Sequence, residues 1–161
     1  STLFPYTTLF RSEILKFLVL YFIVLRRSEF NEPMDGIVYG VVVSLGFATF
    51  ENYDYVFRLA ETWDIDPAQM AIWRSYSAVP MHGLNGCIMG FYFGMYAFTS
   101  NKKYLIFSLL MPFLLHGFYN FLGHPVHLLV VIGMLAYAIV LHSNLKKLQL
   151  KKKIENENLK I

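Results

Sequence analysis

Cysteine and charge are both scarce in this sequence. Cys87 is the single cysteine, which excludes an intrachain disulfide and a metal site built from cysteines. Charged residues make up 16% of the 161 residues, whereas soluble proteins average roughly 25%. The formal net charge is only +3, and no basic groove interleaved with aromatic residues is visible. We therefore expect no nucleic-acid partner.

Hydrophobic residues dominate instead. They make up 56% of the sequence, and the mean hydropathy is +0.44. The few charges cluster between long apolar stretches, which favours a multi-pass membrane protein over a soluble protein with buried core helices. The predicted fold class is all-α, a polytopic transmembrane helix bundle with about five membrane segments. These segments cover residues 13–25, 34–58, 66–99, 104–122 and 126–141.

The first residues resemble a cloning artefact. The run TLFPYTTLFRS, from Thr2 to Ser12, is similar to the in-frame translation of a sequencing-library adapter. The alternative is a genuine extracytoplasmic lead-in. As a helix, residues 13–25 span only about 20 Å, which is short of a bilayer core and fits a truncated start. We predict a non-native segment at 1–12, a transmembrane domain fragment at 13–145, and a basic cytoplasmic tail at 146–161 that is partly disordered.

Basic and acidic connections alternate along the chain. Basic residues cluster at 26–27, 102–103 and 146–153, and an acidic loop occupies 61–66. Because Lys and Arg favour the cytoplasmic side, we predict a multi-pass protein of the cell membrane with a cytoplasmic C-terminus. Asp66, which is followed by proline, is predicted to be the N-cap of the next helix.

Polar groups interrupt the apolar segments at similar depths. At about 1.5 Å per residue, Glu51 and His116 lie ~10 Å below the outer ends of their helices, and His82 lies ~14 Å below its own. Glu13 begins its helix on that same side, and Asn120 shares a helix face with His116. Such groups are unfavourable by several kcal/mol in hydrocarbon unless they pair or face a cavity. We therefore expect one shared polar pocket in the outer leaflet.

Several residues are candidates for supporting this pocket. Lys16 lies one turn from Glu13 and is placed to neutralise it, and Asn52 directly follows the polar Glu51 position. Arg74 lies at the outer interface, where it either snorkels to water or pairs with an acidic group at the mouth of the site. His124 and His127 flank a proline in an outer loop and are predicted to be solvated.

Imidazoles and a carboxylate are the ligand set of catalytic zinc, which keeps one position open for water. We predict Glu51, His82 and His116 as ligands of Zn²⁺, since bound water can then ionise near neutral pH. The second carboxylate, Glu13, is a candidate general base, and Asn120 is a candidate for orienting a ligand or stabilising an oxyanion. The spacing is equally compatible with a metal-free, hydrogen-bonded carboxylate.

Motifs in four separate segments carry a family resemblance. They read EILK at 13–16, FATFEN at 47–52, RSYSAVPMH at 74–82 and HGFYNF at 116–121. In this order they resemble the motifs of the PrsW intramembrane protease family, which is related to the CAAX prenyl endopeptidase and bacteriocin-processing group. The stretch NEPMDGI at 31–37 is also similar to that family.

The resemblance implies a membrane protease. It implies cleavage of a membrane-embedded or membrane-proximal protein, such as an anti-sigma factor, and active-site residues at Glu13, Glu51, His82, His116 and Asn120. One departure stands out, because the family's first motif has two adjacent glutamates and this chain has serine at position 12. We expect the chain as given to be inactive or unstable and its full-length parent to be active.

Two other functions fit a polar site in a membrane. A transporter or proton-relay subunit also uses Glu and His chains, but it would place ionisable groups at several depths along a path. A catalytically inactive scaffold that holds a partner helix would have no activity to lose when these residues are replaced. The common depth of the polar groups favours the protease.

Overall fold

The computed structural model describes the backbone of residues 4–122 and 126–158, with the side chains of 11–122, 126–151, 154 and 158. Within these ranges every regular element is helical, which confirms the predicted all-α fold class. The predicted loop residue His124 and the first three residues of the predicted non-native segment lie outside the description. The α-helices are α1 (Phe4–Phe22), α2 (Pro33–Asp54), α3 (Ala60–Thr62), α4 (Pro67–Tyr76), α5 (Ala78–Thr99), α6 (Lys102–Leu122) and α7 (His127–Asn158). A 3-10 turn (Val24–Arg26) follows α1, and a π-helical turn (Tyr55–Leu59) joins α2 to α3.

Three helices of the described part are long and apolar enough to cross a membrane. They are Pro33–Thr62, Lys102–Leu122 and His127–Lys151. Helix α5 is also long, but His82, Asn85 and several glycines interrupt its apolar sequence. It lies at the centre of the bundle, where α2, α6 and α7 pack around it. A helix surrounded by protein can carry polar residues that a lipid-facing helix could not.

The region around α4 departs from the prediction at one point. Asp66 is the N-cap of α4 as predicted, because its side chain accepts hydrogen bonds from the backbone of Ala68 at 2.7 Å and Gln69 at 3.3 Å. The single predicted segment 66–99 is wrong, however, since the chain breaks at Ser77 between α4 and α5. Pro80 explains the break, because proline has no N–H to bond the carbonyl four residues earlier and its ring crowds that carbonyl.

The basic tail, predicted to be partly disordered, is helical as far as Asn158, the last residue that the structure describes. Helix α7 continues without a break to Asn158. Leu145 is buried against the core, and Gln149 Nε2 donates a hydrogen bond to Glu32 Oε2 at 3.0 Å. Lysine, leucine and glutamine all favour helix, and these contacts attach the helix to the connection before α2.

Helices α2 and α5 meet through small residues. Gly36 and Gly40 of α2 lie directly against the backbone of Gly86, Gly90 and Gly94 of α5. Small residues let membrane helices approach closely and gain van der Waals contact. At the end of this stripe next to His82, Ser44 Oγ donates a 2.6 Å hydrogen bond to the carbonyl of His82. The close packing therefore fixes the backbone that carries His82.

A second contact fixes α6 against α5 near the two histidines. Asn85 Nδ2 donates a 3.0 Å hydrogen bond to the carbonyl of Pro112, which lies inside α6. Asn85 is three residues after His82, and Pro112 is four residues before His116, so each is about one turn from a histidine on the same face. This buried bond sets the distance between the helices that present the imidazoles.

A matched pair of glycine substitutions tests the α2–α5 contact. A Cβ at Gly90 would overlap the backbone oxygen of Gly36, whereas nothing lies within 4 Å of a Cβ at Gly133 on α7. Both changes to alanine gain about 1 kcal/mol of helix propensity, so the difference isolates packing. We expect Gly90→Ala to lower the free energy of unfolding by about 1–3 kcal/mol and Gly133→Ala to cause no loss. Thermal unfolding in detergent measures both, and equal melting temperatures would contradict the packing described.

Candidate active site

Four helices bring ionisable side chains to one place. Helix α1 supplies Glu13 and Lys16, α2 supplies Glu51, α5 supplies His82 and α6 supplies His116. Glu13 and Lys16 are 0% and 1% exposed, and both histidines are buried. Each helix presents its polar group on the face that packs inward, so the groups predicted to lie at one depth do meet.

Glu13 lies at the centre of this cluster. Its Oε1 accepts hydrogen bonds from His116 Nδ1 at 2.6 Å and from Lys16 Nζ at 2.7 Å. Its Oε2 is buried and has no hydrogen-bond partner among the described residues. A buried carboxylate oxygen without a donor is unfavourable, so this atom is a natural place for a cation or a water to bind.

The partners of His82 determine which of its nitrogens carries the proton. Lys16 Nζ lies 3.2 Å from His82 Nδ1, and Glu51 Oε2 lies 3.0 Å from His82 Nε2. An ammonium group can only donate, so Nδ1 accepts and Nε2–H donates to the Glu51 carboxylate. His116 donates through Nδ1 to Glu13, which leaves its Nε2 as the basic nitrogen. Each imidazole therefore uses one nitrogen to hold a carboxylate and keeps a lone pair on the other.

Arg74 on α4 holds Glu51 in place. Its Nη2 donates to Glu51 Oε2 at 2.6 Å and its Nε donates to Asn52 Oδ1 at 2.6 Å. The guanidinium lies 3.8 Å from the ring centre of Tyr55, a favourable cation–π distance. Of the two placements predicted for Arg74, pairing with an acidic group is confirmed and snorkelling is wrong, because the site offers both a carboxylate and an amide oxygen.

Tyr55 was not predicted, although its position carried a signal. It lies four residues after Glu51, which is the spacing that places two side chains on one helix face. The π-helical turn begins at this tyrosine, and single π-turns are frequent at functional sites. Asp54, by contrast, pairs with the exposed Arg58 at 2.8 Å.

A cavity of about 1070 Å³ opens beside the cluster. Its wall includes Glu51, His82 and His116, together with apolar side chains from α1 and α2 such as Leu15, Val19 and Val42. A polar group of this kind next to an apolar cavity is the usual setting of a binding or active site.

Three further residues from the sequence prediction border this cavity. Asn120 is exposed on its wall, and Ser12 contributes to the lining. The prediction that His127 is solvated is wrong, because it is half-buried and its ring lies 4.9 Å from the ring of Tyr119. The start of α7 folds back toward the site, which the loop position in the sequence did not indicate.

The donor set suitable for a metal differs from the one predicted. Ligand atoms of Glu13, His82 and His116 all lie within 4.8 Å of one another. Glu51, predicted as a ligand, instead holds the opposite nitrogen of His82. Two imidazoles with a carboxylate are a common zinc donor set, and a carboxylate behind a ligating histidine is its usual outer partner. With the unpartnered Glu13 Oε2, these residues fit a divalent transition metal.

Replacing Arg74 tests how much its ion pair with Glu51 stabilises the fold. Arg74→Ala leaves the largely buried Glu51 carboxylate without its cation, and we expect a loss of about 2–3 kcal/mol in the free energy of unfolding. Arg58→Ala removes an ion pair in which the arginine is 76% exposed, so it should cost less than about 1 kcal/mol. Chemical unfolding in detergent measures both, and equal losses would contradict a stabilising ion pair between Arg74 and Glu51.

Comparison with known proteins places this site in a family. The model of the PrsW family of intramembrane metalloproteases matches residues 11–143. Proteins named Protease PrsW are similar, with 46% identity over 68% of this chain in Geobacillus kaustophilus, 42% over 70% in Bacillus subtilis and 34% over 85% in Clostridioides difficile. The matched parts cover 47%, 50% and 58% of those relatives, so the chain spans about half of their length. No solved structure matches it significantly. The chain belongs to the PrsW family of intramembrane metalloproteases.

Proposed function

We propose that this chain forms part of an intramembrane metalloendopeptidase that cleaves a membrane-anchored protein, such as an anti-sigma factor. The observation that supports this is the buried group of Glu13, His82 and His116 beside Glu51, next to a cavity of about 1070 Å³. The basic clusters at 102–103 and 146–153 support a cytoplasmic C-terminus and a site in the outer leaflet.

The metal that fits best is Zn²⁺, held by Glu13, His82 and His116. When bound, it would supply a Lewis acid that acidifies water and polarises a peptide carbonyl. This assignment exchanges the roles that the sequence predicted for the two glutamates. Glu13 shares the donor group with both histidines. Within that group Glu51 contacts only His82, at the Nε2 that faces away from Lys16, and it lies on the cavity wall.

Glu51 is then the general base. Its Oε2 already accepts hydrogen bonds from Arg74 and His82, so Oε1 is the oxygen left to take a proton from the attacking water. The same carboxylic acid passes that proton to the amine that leaves when the peptide bond breaks. Asn52 acts indirectly, by holding Arg74 in place. Asn120, on the cavity wall, is assigned to donate a hydrogen bond to the carbonyl oxygen as it becomes negative.

The distribution of buried charge argues against a proton relay. In the described part of the chain, the buried ionisable side chains are those of this one site: Glu13, Lys16, Arg74, His82 and His116. A relay would need further ionisable groups along a path to the opposite side. Only a measurement of cleavage distinguishes the protease from an inactive scaffold.

Glu51→Gln keeps the shape of the side chain and removes the base. We expect it to reduce cleavage at least about 100-fold, in the range of general-base loss, and His82→Ala and His116→Ala to abolish it. The matched control is Glu61→Gln, an exposed glutamate on α3, which should not change cleavage. New N-termini of membrane proteins, measured by terminal labelling in bacterial membranes that contain each variant, give the readout.

The assay uses two backgrounds, the chain as given and Ser12→Glu. The family motif has glutamate at this position, and Ser12 lines the cavity, so we expect higher cleavage with Ser12→Glu. Unchanged cleavage in Glu51→Gln, His82→Ala and His116→Ala would reject the site. Because the chain as given is expected to be inactive, the Ser12→Glu background decides, and folded protein without cleavage there would favour the scaffold.

Gly46 tests whether the cavity admits the substrate. It lies on the cavity wall of α2, and a Cβ there would meet no atom within 4 Å. Gly46→Leu fills open space, so we expect kcat/KM to fall at least about tenfold, mainly through KM, with an unchanged melting temperature. Gly133→Leu, which adds the same side chain where a Cβ also meets no atom within 4 Å, should leave both unchanged. Equal kcat/KM in the two variants would exclude the cavity as the substrate path.

A further inference from the structure

Lys16 lies where a bound cation would lie. Its ammonium nitrogen is 2.7 Å from Glu13 Oε1 and 3.2 Å from His82 Nδ1. Glu13 and His82 are two of the three members of the proposed metal group. The lysine is 1% exposed, so its charge is compensated by these partners and not by water.

The arrangement matches the needs of a site without metal. A buried carboxylate and the Nδ1 lone pair of His82, which faces Lys16, require a positive charge or a donor. Lys16 supplies both, since an ammonium group carries one charge and three donors. It also takes up the Nδ1 lone pair of His82, the nitrogen that would otherwise be available as a ligand.

We infer that Lys16 is an internal substitute for the metal, and that metal binding exchanges the ammonium group for the ion instead of filling a vacant site. The inference rests on the proposed metal site. An ammonium and a divalent cation that share Glu13 and His82 repel each other, so the lysine must withdraw before the ion can bind. Lysine suits this role because its charge is compact and its four-carbon stem is flexible.

Two consequences distinguish this from a purely structural lysine. With metal removed, loss of Lys16 leaves Glu13 buried and unpaired, so the protein becomes less stable. With metal present, loss of Lys16 removes the competitor, so the ion binds more tightly and stabilises the fold by a larger amount. A lysine that only holds Glu13 in position would give weaker metal binding when it is removed.

The experiment uses the whole chain, purified in detergent and stripped of metal with a chelator. Zn²⁺ affinity is measured by competition with a fluorescent chelator, and thermal unfolding is recorded with and without Zn²⁺, for the unchanged chain, Lys16→Met and Lys102→Met. We expect Lys16→Met to melt lower without Zn²⁺ and to bind Zn²⁺ at least about tenfold more tightly. The exposed Lys102 is the control and should change neither. In Lys16→Met with Glu13→Gln, both effects should disappear.

Equal or weaker Zn²⁺ binding in Lys16→Met would overturn the inference. If that variant folds only when Zn²⁺ is present, the exchange is supported. If it folds in neither condition, Lys16→Arg decides, since its bulkier permanent charge should weaken Zn²⁺ binding and an unchanged affinity would refute the exchange. If cleavage depends on Glu51 but no variant binds Zn²⁺, this inference is rejected and the proposed protease function stands. If Lys16→Met binds Zn²⁺ more tightly but no cleavage is detected, this inference is supported and the protease function is rejected.

Discussion

Ionisable side chains inside an apolar bundle must neutralise one another, because no solvent is there to do so. Glu13 is paired with Lys16 and His116, and Glu51 with Arg74 and His82. Each carboxylate thus has one permanent cation and one imidazole, and His82 links the two halves. This pairing ties α1, α2, α4, α5 and α6 together at one end of the bundle, so the chemistry of the site is also part of what holds the helices in register.

The packing below the site makes this pairing possible. Glycines on α2 and α5 let the two backbones touch, and the Ser44 bond to the His82 carbonyl closes the end of that contact next to the site. Phe30 and Phe93 pack with ring centres 6.1 Å apart in the core away from the site. The half of the bundle away from the site is thereby close-packed and mostly apolar, while the half that carries the site keeps a cavity and the charged groups.

Much of the site could be predicted from spacing alone. Helix rise fixes depth and the 3.6-residue period fixes face, which is why Glu51, His82 and His116 were expected to meet. The period does not fix which nitrogen or oxygen faces which neighbour. The side-chain contacts are the reason that we now propose exchanged roles for the two glutamates. The break at Ser77 came from Pro80, a local signal inside a long apolar run. Spacing did predict that Lys16 pairs with Glu13, which the structure confirms. Its contact with His82 depends on the reach of a flexible side chain to another helix, which no pattern in the sequence encodes.

The glycine contact between α2 and α5 affects the residues of the site unequally. With their backbones in direct contact, α2 and α5 present Glu51 and His82 from one closely packed pair of helices. His116 on α6 is held to the same pair by the Asn85 hydrogen bond to Pro112. Glu13 lies on α1, which has no glycine contact of this kind among the described residues. The distance from Glu13 to His82 therefore depends on the side chain of Lys16, which contacts both.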